Sequence, residues 1–278
     1  SGLYIAGALT GKSQKVRNGN VDIYLLPWIS TDKVRSVFPE QAEKVLSMED
    51  AYRIVLDRYR ADFTPGQKNI LVAHAFIVNA QTSESDRAAE VGRATMVSAS
   101  VFEGFDYVAL GHIHNAQHCS RESVRYCGTL LKYSFSEVNH IKSITVVELK
   151  EKGKNPQIHT VPVTPLHDMR EIKGSYEELT FRKNYMNTPV NDYLHITLTD
   201  EEDIPDAISR LRSIYPNIMR LDYDNIRTRN SGSLEIGEAA VERTPLELFE
   251  DFYEQQNHKP MSEEQKQFVG GLIESIWE

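Results

Sequence analysis

The stretch Asp106-Tyr107-Val108-Ala109-Leu110-Gly111-His112-Ile113-His114 constrains the fold of this chain more than any other. Its apolar run reads as a buried strand. The run ends in a glycine and then presents two histidines one residue apart. Alternate residues of an extended chain point the same way, so both imidazoles can reach one point in space. Gly111 is expected to permit the tight turn that lifts them off the strand end. In an α/β sheet, ligands bind beyond the carboxyl ends of the strands. Two neutral imidazoles there suit a borderline transition metal such as manganese, iron or zinc. A polar turn after a buried strand is the competing reading of a bare His-x-His.

A second run, Asn69-Ile70-Leu71-Val72-Ala73, has the same buried-strand character and delivers His74 at its end. A lone histidine at a strand end is more often a hydrogen-bonded surface residue. Three on consecutive sheet strands, in a chain with 9 histidines, tilt the reading towards a metal site formed by His74, His112 and His114. Around these runs the pattern alternates. Val21 to Trp28 reads as a strand closed by Pro27, and Lys44 to Tyr59 as a helix with Ser47 as its N-cap. A polar loop with Ser83, Glu84, Ser85 and Asp86 follows His74, and a short helix is expected near Val97 to Phe102. Strands alternating with helices make a layered α/β domain.

Further on come short strands, Val124–Cys127, Ser143–Leu149 and Gln157–Val163, the last two joined by the turn-forming Lys150–Pro156. The chain turns polar and irregular from Lys173 to Pro189. Beyond that, Asp192–Leu198, Ile204–Ile214 and Asn217–Tyr223 predict a small β-α-β unit. Two helices close the sequence. One follows Thr244-Pro245 and carries Leu246, Leu248, Phe249 and Phe252; the other, roughly Ser262 to Trp277, carries Phe268, Leu272, Ile273, Ile276 and Trp277. Such aromatic stripes are core slightly more often than docking surface. The expected domains are 1–172, a linker over 173–189, a small domain over 190–243, and a helical segment over 244–278.

With 40% apolar and 26% charged residues, the 278-residue chain has an ordinary globular composition. No apolar run is long enough to span a membrane. Cys119 and Cys127 fit neither a disulfide framework nor a zinc ribbon and suit a reducing cytoplasm. A net charge of −9 argues against a general electrostatic grip on nucleic acid. Arg210, Arg212, Arg220, Arg227 and Arg229 leave room for a local one, though charge alone favours a solvated, salt-bridged face.

Leu71–Phe76, Phe105–His114, Arg125-Tyr126-Cys127-Gly128-Thr129 and Tyr133-Ser134-Phe135-Ser136-Glu137 resemble the calcineurin-like metallophosphoesterases. More narrowly they resemble the SbcD-like nuclease subunits of that superfamily, and the likeness runs through Thr244–Tyr253. The resemblance implies a metallophosphoesterase β-sandwich with helices, followed by a β-α-β capping domain that binds DNA and by C-terminal helices. It also implies metal-dependent exonuclease and endonuclease activity on DNA in repair and recombination, in the cytoplasm. His74, His112 and His114 would ligate metal in a centre of two manganese ions, which stabilise both the attacking and the leaving oxygen of a phosphodiester. The implied partners are DNA, an SMC-type ATPase (SbcC-like) received by the C-terminal helices, and a second copy in a homodimer.

The sequence departs from that pattern ahead of His74. No Asp-x-His precedes it, and Gly19-Asn20 is followed by Val21 where the superfamily has an Asn-His pair. The chain therefore reads as part of a longer protein, expected to bind manganese weakly or singly and to lack nuclease activity alone. No catalytic residue is assigned within it. A phosphoesterase for small esters is one rival reading, although it has no use for residues 190–278. A non-catalytic module that grips DNA or an ATPase is the other.

Overall fold

The structure, a computed structural model, describes residues 2–87, 96–226, 228, 244–257 and 260–277. The chain divides into two compact units, residues 1–198 with 204–222, and residues 199–203 with 223–278.

The first unit is mixed α/β. Strands β1 (Lys15–Asn18) and β2 (Val21–Leu25) form an antiparallel hairpin. Helices α1 (Thr31–Val37) and α2 (Met48–Arg60) lead to β3 (Lys68–His74), which pairs parallel to β2. Short β4 (Phe76–Ile77), α3 (Glu84–Arg87) and β5 (Met96–Val97) follow. Then come β6 (Tyr107–Gly111), β7 (Gln117–Cys119) and β8 (Arg121–Tyr126), which complete a six-stranded sheet of order β1-β2-β3-β6-β8-β7. The strands β2, β3, β6 and β8 at its centre are parallel neighbours.

Helix α2 supports this sheet, and its sequence explains how. Ser47 caps the first turn in a reciprocal box with Asp50, satisfying backbone donors that a helix start leaves open. Ala51, Tyr52, Val55, Leu56 and Tyr59 then recur at helical spacing and are buried. Tyr24, Phe63 and Phe105 add an aromatic cluster with ring centroids 5.2–5.9 Å apart, the range in which edge-on and tilted rings attract. The sheet and this helix form the core beneath the histidines.

Strands β9 (Ser143–Glu148) and β10 (Gln157–Pro162) form a separate antiparallel ribbon across the expected hairpin turn. Lys152 in that turn reaches Asp106 at the start of β6, at 2.6 Å. A third sheet of order β11-β12-β13 contains the expected β-α-β unit, with β12 (Tyr193–Leu198), α6 (Ala207–Arg212) and β13 (Ile218–Tyr223). Its first strand, β11 (Met169–Gly174), pairs parallel to β12 and lies partly inside the stretch expected to be irregular. The rest of that stretch holds α4 (Tyr176–Thr180) and α5 (Arg182–Tyr185), the crossover that a parallel pair requires. Charges at three of its six positions, Arg170, Glu171 and Lys173, break the apolar pattern of β11 and hide its strand character. The helix expected near Val97–Phe102 is a single 3₁₀ turn, Ala99–Phe102, preceded by β5.

In the second unit, α7 (Pro245–Asn257) packs against α8 (Glu263–Trp277). Thr244 and Glu247 form a capping box at one helix start, and Ser262 and Gln265 do so at the other. Leu248, Phe249, Phe252, Phe268 and Leu272 are all exposed. The side chains of Ile276 and Trp277 lie outside the described residues. Among the described residues, no helix is long and apolar enough to cross a membrane.

Candidate metal centre

Strands β3 and β6 lie side by side and parallel, with His74 registered opposite Gly111. Both therefore end on one rim of the sheet, and the residues that leave them meet there. His74 Nε2 and His112 Nδ1 are 3.2 Å apart, with the rings edge to face at 88°. Phe76 packs on the His112 ring at 5.1 Å, and Tyr52 Oη donates to the His74 carbonyl at 3.0 Å. Burial pulls the His74 imidazole below its ordinary pKa, favouring the neutral form that a metal ligand needs.

The turn is made differently from the expectation placed on Gly111. That glycine has no left-handed backbone; the unusual conformation belongs to His112, at φ 120°. Gly111 is needed for space instead, since a Cβ there would stand 3.0 Å from His74 Nδ1.

His114 is held by other partners. Its backbone N–H donates to Asp86 Oδ1 at 2.8 Å, and its Nδ1 lies 2.9 Å from Glu137 Oε1. Asp86 also accepts from Ser83 N and Oγ, both at 2.7 Å, so the polar loop after β4 clamps the histidine loop. Glu137 is fully buried and accepts from Lys142 Nζ at 2.6 Å and Ser85 Oγ at 2.8 Å. Burial alone would raise its pKa. The hydrogen bonds from Lys142, His114 and Ser85 outweigh that and hold it at about 2.

Thus the structure sets His74 and His112 together and gives His114 a carboxylate of its own. Among the described residues, no group of three or more His, Cys, Asp or Glu side chains is placed to hold a metal ion. The donor chemistry fits one side of such a site. Two nitrogens bound at about 2.1 Å to one ion at near-tetrahedral or octahedral angles stand roughly 3.0–3.5 Å apart. The His74–His112 separation of 3.2 Å falls in that interval. The carboxylates nearest His114, Asp86 and Glu137, are spent on hydrogen bonds within the fold. The described residues therefore suit an imidazole half-site and not, by themselves, a pair of oxygen-preferring manganese ions.

Glu137 and Lys142 escape a reading for site residues from the sequence. The Ser134-x-x-Glu137 pattern is the available signal: Ser134 caps the 3₁₀ turn Phe135–Glu137 that turns the carboxylate inward. Of the five arginines considered for a local grip on DNA, the three among the described residues have partners within the fold. Arg210 lies over the Tyr176 ring at 4.9 Å, and Arg220 pairs with Asp222 at 2.6 Å. Arg212 reaches the Ile218 carbonyl, and Arg227 and Arg229 lie outside the described residues.

Comparison with known proteins agrees with the resemblance carried by these motifs. Residues 165–257 match the family described as the type 5 capsule protein repressor C-terminal domain, SbcD_C. The chain is 28% identical over 277 residues to the SbcD subunit of the nuclease SbcCD from Staphylococcus epidermidis (strain ATCC 12228 / FDA PCI 1200). That alignment covers 99% of this chain and 71% of the relative. The similarity to that SbcD subunit thus runs along essentially the whole length of the chain.

Proposed function

We propose that this chain belongs to a metal-dependent DNA nuclease subunit of the metallophosphoesterase type, hydrolysing phosphodiesters in repair and recombination. The observation that carries the reading is the meeting of His74 and His112 at the C-terminal rim of a parallel sheet, with His114 oriented two residues on. Ligands of layered α/β folds bind at this rim. The name of the relative, that of a nuclease subunit, supports the reaction class.

In this reading His74, His112 and His114 hold manganese. When bound, the metal supplies activation of water and charge stabilisation at the phosphodiester. The chain's own part is to keep His74 neutral by burial, to fix the His112 ring against Phe76, and to hold the His114 loop through Asp86. Residues 190–243 would cap the site and contact DNA. Residues 244–278, with Leu248, Phe249, Phe252, Phe268 and Leu272 exposed, would receive an SMC-type ATPase, and the whole protein would act in the cytoplasm as a homodimer.

Because the donors brought together here are imidazoles, the chain alone is expected to bind manganese weakly or singly and to leave duplex DNA uncut. Calorimetry with manganese and with zinc, on wild type and His112→Ala, tests the first part. Equal heats for the two proteins would remove His112 from the site. Manganese-dependent cleavage of plasmid DNA by the pure chain, lost in His112→Ala, would overturn the second part while keeping His112 in the site. A chromogenic diester cleaved in preference to DNA would favour the small-substrate reading. Removing residues 244–278 should abolish co-purification with the ATPase and leave metal binding unchanged.

A further inference from the structure

The buried pair Glu137–Lys142 lies behind His114 and is not among the proposed metal ligands. Glu137 is fully buried, on the 3₁₀ turn that precedes β9. One carboxylate oxygen, Oε1, faces His114 Nδ1 at 2.9 Å and accepts from Ser85 Oγ at 2.8 Å; the other, Oε2, is held by Lys142 Nζ at 2.6 Å. Lys142 is itself buried, and its ammonium group also donates to the His114 carbonyl at 3.0 Å and to Thr129 Oγ1 at 2.8 Å. One cation thus grips both the main chain of His114 and the carboxylate that faces its ring.

A carboxylate only accepts, so the ring nitrogen opposite Glu137 Oε1 must carry the proton. In a neutral imidazole the lone pair then lies on Nε2, the far side of the ring. Histidines that ligate metals typically donate their second nitrogen to a carboxylate in this manner, which fixes both tautomer and orientation. An arrangement serving stability alone would not require the buried charge to face the ring; apolar groups of similar volume stabilise a core at least as well.

We propose that Glu137 and Lys142 are positioning residues that lock His114 as the Nδ1–H tautomer and so present Nε2 as its donor. The consequence for metal binding rests on the function proposed above, but the tautomer itself is a property of the metal-free protein. The test is a long-range proton–nitrogen correlation spectrum of the metal-free chain at alkaline pH, with the His114 ring assigned by its loss in His114→Ala. Wild type should show protonated Nδ1 and bare Nε2. The double variant Glu137→Leu/Lys142→Met removes both charges at similar volume and should release the ring to mixed tautomers or to Nε2–H. Its zinc affinity should fall by about 10–100-fold, the usual cost of losing such a partner.

Should the double variant fail to fold, Ser85→Ala asks the same question more gently. It removes the competing donor on Oε1, so the Nδ1 proton should move downfield. A wild-type ring already carrying Nε2–H would overturn the proposal, as would unchanged spectra in the folded variants. A wild-type chain that binds no zinc or manganese overturns the metal reading only, because the tautomer is still measured.

Discussion

At Gly111 an added methyl would press on the His74 ring, and at Gly128 it would press on backbone. The Cβ at position 111 would stand 3.0 Å from His74 Nδ1, the movable part of a side chain, on backbone any residue can adopt. Gly111→Ala is therefore expected to shift the imidazole by a few tenths of an ångström and weaken metal binding with little change in thermal stability. A Cβ at Gly128 would meet the His114 carbonyl oxygen at 2.7 Å, from a residue with φ +74°. Neither the strain nor the clash can relax cheaply, so Gly128→Ala should cost about 1–3 kcal/mol. Calorimetric melting of both variants, with zinc titrations, separates the two effects; equal losses of stability would refute the distinction. Of this local arrangement, the histidines are legible in the sequence and the glycines only partly so. Which residue takes the unusual backbone depends on the neighbouring strand, and a single-strand pattern does not contain that neighbour.

Among the elements, β8 shows how one side chain shapes the rim. Tyr126 is buried, and its hydroxyl donates to the Ala75 carbonyl at 2.6 Å while accepting from the Ile77 N–H at 3.0 Å. It thereby satisfies the backbone where the chain leaves β3 for β4, just past His74. Tyr126→Phe keeps the ring but leaves a buried donor and acceptor open, an expected loss of about 1–3 kcal/mol seen as a lower urea midpoint. A midpoint within error of wild type would mean that water or another group takes over. Helix α2 makes a simpler case: Ser47→Ala removes the cap bond to Asp50 and should cost about 1 kcal/mol, measured in the same way. Elements with a buried apolar pattern, such as β3, β6 and α2, are readable from periodicity. The crossover through α4 and α5 is not, because β11 carries Arg170, Glu171 and Lys173 among its six residues and little apolar content. Pairing with β12 rather than intrinsic propensity decides that strand.

Across the whole molecule, the anionic balance directs attention to what acid does to the sheet. Most carboxylates are exposed and add little when paired. Asp22 differs: its side chain is buried on β2, where Arg17 binds both oxygens at 2.6 and 2.8 Å and Lys15 approaches at 3.3 Å. Both cations come from the edge strand β1, so this one carboxylate ties the edge hairpin together. The hydrogen bond from Arg17 lowers its pKa against the opposing effect of burial, with Lys15 adding to the lowering. A carboxylate with a depressed folded pKa contributes stability that is fully present above its unfolded value of about 3.9. That contribution is lost as the pH falls through the folded value. Asp22→Asn should therefore lower the urea midpoint at neutral pH, and the gap from wild type should close progressively below about pH 4. The gap arises from a charge that wild type surrenders in acid and the variant never had. Parallel curves across that range would show that the edge hairpin is held by its backbone ladder instead.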